Sequence, residues 1–195
     1  MPVKEKGPGR PRRSQSQLSS ESIVVCARDL MKENGKVPSI RQVSSRLGVD
    51  AMAIYHYFSN KASLLEAVTT SLMEGIYEPT GNGDWKGEMA RLSRSYLELL
   101  RSHPGLLETF LSMTSYGPAE LFSDRLVTAL TPLNLTQPKL EQIRNHLADY
   151  LHGVALAMQY NPDSLDMDCI DDSMGLIIGA IESSHRTNAG ASPSP

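Results

Sequence analysis

The groups in this 195-residue chain that could hold a metal or move protons are five histidines, two cysteines and the acidic residues, and their spacing argues against both roles. His56, His103, His146, His152 and His185 are scattered, with no His-Glu-x-x-His pair and no paired cysteine ligands. A glycine-rich phosphate loop and a Gly-x-Ser-x-Gly elbow are also missing. His146 with Tyr150, or Asp149 with His152, are helical neighbours that make at most a small polar site. Neither an enzyme nor a metal or cofactor is expected. What is concentrated is charge: residues 1–61 hold 11 Lys or Arg against 5 Asp or Glu, while the remainder holds 8 against 17. A basic end on an acidic body favours a polyanion at that end only, because phosphate attraction follows local rather than net charge.

The elements that position this charge are spelled out between Ser39 and Lys61. Ser39 can accept from the amide of Gln42 while Gln42 reaches back to the amide of Ser39, a reciprocal capping box, and Pro38 discourages earlier helix. Val43 and Leu47 lie four apart on one face, and Gly48 supplies the positive φ that ends the helix at about Leu47. Asp50 then offers a second N-cap. In the helix it opens, Ile54 and Phe58 are spaced to face inward, leaving Ala51, Met52, Ala53, Tyr55 and His56 mostly outward. A helix that short needs neighbours to hold it, which suits one whose outer face is kept free to enter a major groove.

The pattern Val-x-x-x-Leu-Gly-Val-x-x-x-x-Ile-Tyr-x-Tyr-Phe-x-Asn-Lys-x-x-Leu-Leu resembles the N-terminal signature of the tetracycline-repressor (TetR) family of transcriptional regulators over roughly residues 18–70. The aromatic cluster Tyr55, Tyr57, Phe58 followed by Asn60-Lys61 separates it from generic helix-turn-helix sequences. The resemblance implies that Ala51, Met52 and Ala53 face base edges. They offer no Arg, Gln or Asn for bidentate contacts, only small and apolar groups suited to thymine methyls. It also implies that Tyr55 reaches a base or a phosphate, and that His56, Tyr57 and Lys61 hold the backbone; Tyr57 has packing between helices as its alternative. Lys61 has a second reason to do so, since it stands at a helix N-terminus whose free N–H groups favour phosphate. Ser39 and Arg41 are the remaining backbone candidates.

Residues 1–17 cannot build a core and are expected to be a disordered basic arm. Their Gly-Arg-Pro-Arg is similar to an AT-hook core, so Arg10, Arg12 and Arg13 either lie in a narrow minor groove or belong to a solubilising tail. The expected organisation is a helix-turn-helix unit over 18–60, a connecting helix over 61–78, a helical effector-binding and dimerisation body over 79–186, and a disordered tail over 187–195. Periodicity predicts helices over about 20–34, 61–77, 85–102, 106–115, 118–130, 138–160 and 168–185, besides the two of the reader. No segment alternates with period two, so the fold class is all-α, with about nine helices. Cys26 and Cys169 sit in apolar helical patterns, which speaks for packing rather than a disulfide. No apolar run approaches the ~20 residues of a membrane span, and a cytoplasmic protein is expected.

A single reader of this size covers few base pairs, so specificity calls for a homodimer on a palindrome-like double-stranded operator. Gly175, Gly179 and Ser183 place small residues four apart beside Leu176, and Leu147, Leu151 and Val154 follow the stripe of the preceding long helix. The family implies that these last two helices pair into a four-helix bundle; a monomer burying the same stripe is the alternative. A body of this family also implies a small-molecule effector. Met89, Leu92, Tyr96, Leu107, Phe110, Met113, Tyr116, Phe122, Leu126 and Met158 are candidates to line its cavity, each with ordinary core as the alternative. His152, on a helix face near Tyr96 or Asp149, either orients a polar ligand or is a satisfied core histidine. The expected function is a repressor released from its operator by a small, mainly apolar ligand. Its rival is a ligand-independent DNA organiser on the same scaffold.

Overall fold

The computed structural model describes residues 18–113, 117–161 and 167–189, and among them every regular element is helical. The basic arm with Arg10, Arg12 and Arg13, Tyr116, and residues 190–195 of the tail lie outside the described residues. The helices are α1 (Ser20–Asn34), α2 (Ile40–Leu47), α3 (Ala51–Tyr55), α4 (Lys61–Met73), α5 (Trp85–Ser102), α6 (Leu106–Ser112), α7 (Gly117–Leu130), α8 (Gln137–Tyr160) and α9 (Met167–Ala189), with a 3-10 turn over Thr131–Leu133.

Local chemistry explains most of these boundaries. Ser19 caps α1 through a reciprocal pair with Ser22, and Ser39 caps α2 through the expected pair with Gln42. Asn60 caps α4 with Ser63 in the same way. Gly48 ends α2 at φ 69°, a backbone region that a side chain disfavours.

Three ends differ from the periodicity. The apolar stripe of α4 runs on to Ile76, yet regular helix stops at Met73, because Gly75 and Ile76 bond back three residues and the Arg125 guanidinium captures the carbonyls of Met73, Glu74 and Ile76. Helix α6 stops at Ser112 where Met113 turns extended, at ψ 141°. Helix α9 runs on to Ala189, past the expected end at 185, since residues 186–189 include neither Gly nor Pro.

Helices α1, α2 and α3 pack on one another around Ile23, Ala27, Val43 and Ile54, each fully buried. Helix α4 touches α1 of the N-terminal unit and α5, α6 and α7 of the larger bundle. Its Leu64, Val68 and Leu72 are buried, so a single apolar face joins the small N-terminal unit to the larger bundle. In that bundle α5 is central, touching α7, α8 and α9, and its Met89, Leu92 and Leu97 are wholly inaccessible. Surface ion pairs Lys86–Glu182 (2.8 Å) and Arg94–Asp171 (2.7 Å) add contacts between α5 and α9. No described helix is long and apolar enough to cross a membrane.

Candidate functional site

The N-terminal unit presents its outer face by burying the rest. Ile54 is fully buried and Phe58 nearly so, while Met52 is 64% exposed and Tyr55 43%. Asp50 fixes the start of α3 by accepting from the Met52 amide at 2.7 Å, and the Val49 amide donates to the Ser44 carbonyl at 3.0 Å across the turn. These bonds fix the entry to α3, and the Tyr57 and Phe58 amides close its far end by donating to the Ile54 carbonyl at 3.0 Å each. Ala51 and Ala53 are half-buried flanks of the exposed ridge formed by Met52, Tyr55 and His56.

Around that ridge stand the polar groups. Lys61 is exposed in the first turn of α4, whose cap is the Asn60 side chain. Arg41 is exposed on the first turn of α2. Ser39 is exposed too, but its hydroxyl donates to the Gln42 side chain at 2.9 Å and accepts from the Gln42 amide, so it serves the helix first. Tyr57 keeps its ring 45% exposed while its hydroxyl donates to the Leu18 carbonyl at 2.6 Å. That bond ties the end of the reader to the residue at which the N-terminal segment leaves α1. Arg46, not singled out in the sequence, makes a forked pair with Glu33, Nη2 to Oε1 at 2.6 Å and Nη1 to Oε2 at 3.0 Å. The Arg46 fork holds the Glu33 carboxyl below its ordinary range. No sequence signal links two residues 13 apart on different helices.

In the body the sequence-predicted pocket residues divide. Tyr96, Phe110, Phe122 and His152 come together: the Tyr96 hydroxyl and His152 Nε2 are 2.8 Å apart, the Tyr96 and Phe122 rings are 5.0 Å between centroids, and Phe110 meets the imidazole edge-on at 5.8 Å. Burial raises the Tyr96 pKa, so its phenol stays protonated. Burial also pushes the His152 imidazole below its usual value, against the weaker opposite pull of Asp149. A protonated phenol beside a neutral imidazole satisfies both polar tips inside an apolar shell. Met89, Leu92, Leu107 and Leu126 belong to the buried core, and Met113 is half-buried. Met158 instead lines a separate groove of about 230 Å³ at the far ends of α5 and α8.

The dimer candidates also divide. Leu147 and Leu151 are wholly buried and Val154 nearly so, within the chain's own core, where they form the inward stripe of α8. This corrects their assignment to a contact between subunits: one helix face cannot be both core and interface. On α9, Leu176 is 78% exposed and Gly175 and Ser183 are exposed. The open face of α8 carries Gly153, and a Cβ placed on Gly153, Gly175 or Gly179 would meet nothing within 4 Å. Between α8 and α9 lies a mainly apolar groove of about 250 Å³ bordered by Ile143, His146, Ile177 and Ile181.

The profile described as "Bacterial regulatory proteins, tetR family" matches residues 23–68, from α1 into α4, and that of the "Tetracyclin repressor-like, C-terminal domain" matches residues 78–167. The chain belongs to the tetR family. Among relatives, it is 28% identical over 129 residues to the HTH-type transcriptional repressor DrrR1 of Streptomyces coeruleorubidus, a match covering 65% of this chain and 48% of that one. The chain thus spans about half the length of that curated relative. Among solved tetR-family structures, Streptomyces coelicolor ActR in complex with (S)-DNPA has a TM-score of 0.70 at 17% identity, over 87% of this chain and all of that one. BioQ with its double-stranded DNA operator has a TM-score of 0.70 at 18% identity, over 86% and 99%. These likenesses carry the tetR-family architecture from α1 through the body.

Two groups that fix this architecture escaped sequence reading. Glu88, fully buried on α5, accepts from the Thr80 amide and hydroxyl at 2.7 and 2.8 Å and from the Gly81 amide at 3.0 Å. Burial pushes its carboxyl up, and these bonds outweigh it, leaving the pKa below the ordinary carboxylate value. Arg125 on α7 closes the end of α4. Both look like ordinary surface charge in a linear sequence, and only their partners reveal them.

Proposed function

We propose that this tetR-family chain is a homodimeric transcriptional repressor that reads a palindromic operator through α3 and is released by a small, mainly apolar ligand bound in its body. The observation that carries this reading is the division of α3, with Ile54 buried and Met52, Tyr55 and His56 on an exposed ridge flanked by Lys61 and Arg41. In this reading residues 18–60 are the reader, 61–78 the connecting segment and 79–186 the body. Met52 with Ala51 and Ala53 meets thymine methyls, Tyr55 meets a base or phosphate, and Lys61, Arg41 and His56 hold phosphates. Tyr57 supports the ridge through its bond to Leu18, and Arg10, Arg12 and Arg13 follow the DNA from the point that bond anchors.

The names of similar proteins support the same reading: DrrR1 is a repressor, BioQ was crystallised on an operator, and ActR holds a small molecule. The open stripe of Gly153, Gly175 and Gly179 with exposed Leu176 supports pairing through α8 and α9. A DNA target also puts the protein in the cytoplasm. Close packing of Tyr96, Phe122 and His152 favours a second reading, a ligand-independent organiser of DNA on the same scaffold. Selection of bound fragments from random-sequence DNA at near-physiological salt tests both. The repressor reading expects enrichment of one two-fold-related motif; salt-sensitive binding without enrichment would overturn it.

A further inference from the structure

Where α5 ends and α6 begins, the chain turns through His103-Pro104-Gly105, and this turn rests on the N-terminal unit. Pro104 Cγ lies 3.9 Å from the point where a Cβ on Gly35 would sit, and a Val37 methyl lies 3.4 Å from the corresponding point on Gly105. The same turn walls a groove of about 230 Å³ lined by Leu100, Arg101 and Pro104 on one side and Ala155, Met158 and Gln159 of α8 on the other. Leu100, Ala155 and Met158 are buried and give the groove an apolar floor. The groove lies one to two helical turns beyond the Tyr96–His152 pair on both α5 and α8, so it is distinct from the aromatic cluster.

Arg101 is the cation of this groove. Arg91 reaches Asp84 at 3.2 Å, Arg94 reaches Asp171, and Arg125 is spent on three carbonyls, whereas Arg101 has no hydrogen-bond or ion-pair partner among the described residues. A guanidinium at the mouth of an apolar groove matches one planar, singly charged oxyanion through its two parallel N–H bonds. The Glu108 carboxylate, which accepts from the groove's Gln159 at 3.5 Å, opposes a second negative charge. The volume lies just below the ~300–1,000 Å³ of drug-sized pockets, which limits the apolar part to a short chain or a single ring.

We propose that this groove binds a small monocarboxylate with an apolar tail, paired to Arg101, and that its occupancy alters the seating of the 103–105 turn on the N-terminal unit. The proposal deepens the effector-sensing reading by assigning a ligand class and a second route to the reader beside α4. Titration calorimetry of the full chain with octanoate reads it without DNA, so failure of the DNA-binding reading leaves this test intact. The expected result is saturable binding of one octanoate per chain, at least tenfold tighter than 1-octanol, and weakened at least tenfold by Arg101→Gln with octanol binding unchanged. Arg101→Lys, which keeps the charge and loses the fork, should fall between. Absence of saturable octanoate binding, equal affinity for octanol, or an unaffected Arg101→Gln variant that retains the wild-type melting temperature would each overturn the site. Amide exchange at residues 34–38 should change when octanoate binds, and binding with no change there would overturn the link to the reader.

Discussion

Lys61 and Tyr57 stand close in sequence and do different work. Lys61 is exposed in the first turn of α4, where charge and unpaired amides add, whereas the Tyr57 hydroxyl is already committed to the Leu18 carbonyl. Lys61→Ala should therefore weaken binding to every DNA sequence and lower the salt slope by about one, as measured by titration at several salt concentrations. Wild-type affinity in that variant would refute the proposed docking. Tyr57→Phe should instead cost about 1 kcal/mol of folding stability in denaturant titration and leave the salt slope unchanged. The capping pairs at Ser39–Gln42 and Asn60–Ser63 involve partners three residues apart, so caps of this kind are legible from sequence, because both partners belong to one helix turn.

At the scale of elements, α4 is the joint of the molecule, and Arg125 decides where it ends. Three helix-end carbonyls lie within hydrogen-bond distance of one guanidinium, Nη1 to Ile76 at 2.6 Å being the shortest. Arg125→Met keeps the apolar stem and removes these bonds, and should cost about 2 kcal/mol while raising amide exchange at residues 73–77. An unchanged exchange pattern there would show that α4 ends for another reason. The sequence stripe overran this end because periodicity reports which face is apolar, not which carbonyls a distant side chain captures.

For the whole molecule, the two faces of α8 and α9 give opposite expectations. Leu147→Ala opens a cavity in a wholly buried site and should cost about 3 kcal/mol of stability without changing the oligomeric state. Leu176→Glu puts a charge on an apolar side chain of α9 that is 78% exposed, and should leave stability nearly unchanged while giving a monomer mass in light scattering. A dimer that survives Leu176→Glu would move the interface elsewhere. The contact between the two units should also respond to pH. Burial lowers the His103 pKa, its bond to the Leu99 carbonyl opposes this in part, and the positive charges of Lys32 and Arg28 across the interface add smaller downward pulls. His152 is lowered as well. Both rings are favoured neutral in the folded chain, so their contribution is intact above the unfolded value of about 6.5 and is lost as pH falls below it. The melting temperature should thus drop from pH 7 to 5, less steeply in His103→Gln; an identical slope in that variant would remove His103 from this account. Glu88, whose carboxyl is lowered, adds a further loss only below about pH 4.5.

The sequence by itself determined the helices, the turn at Gly48, the inward Ile54 and Phe58, and the outward ridge of α3, because caps, glycine and 3.6-residue periodicity act within a few residues of each other. Helical faces left His152 beside either Tyr96 or Asp149, and the fold set its Nε2 2.8 Å from the Tyr96 hydroxyl. Tertiary structure alone decided which of two apolar stripes became core. Leu147, Leu151 and Val154 satisfy the same pattern whether they face α5 or a second copy, and only the position of α5 turns them inward. The same holds for Glu88, Arg125 and the Arg46–Glu33 pair. A charged side chain is assigned to solvent, to a partner or to a backbone carbonyl by what the fold brings within 3 Å of it, and spacing along one chain carries no record of that distance.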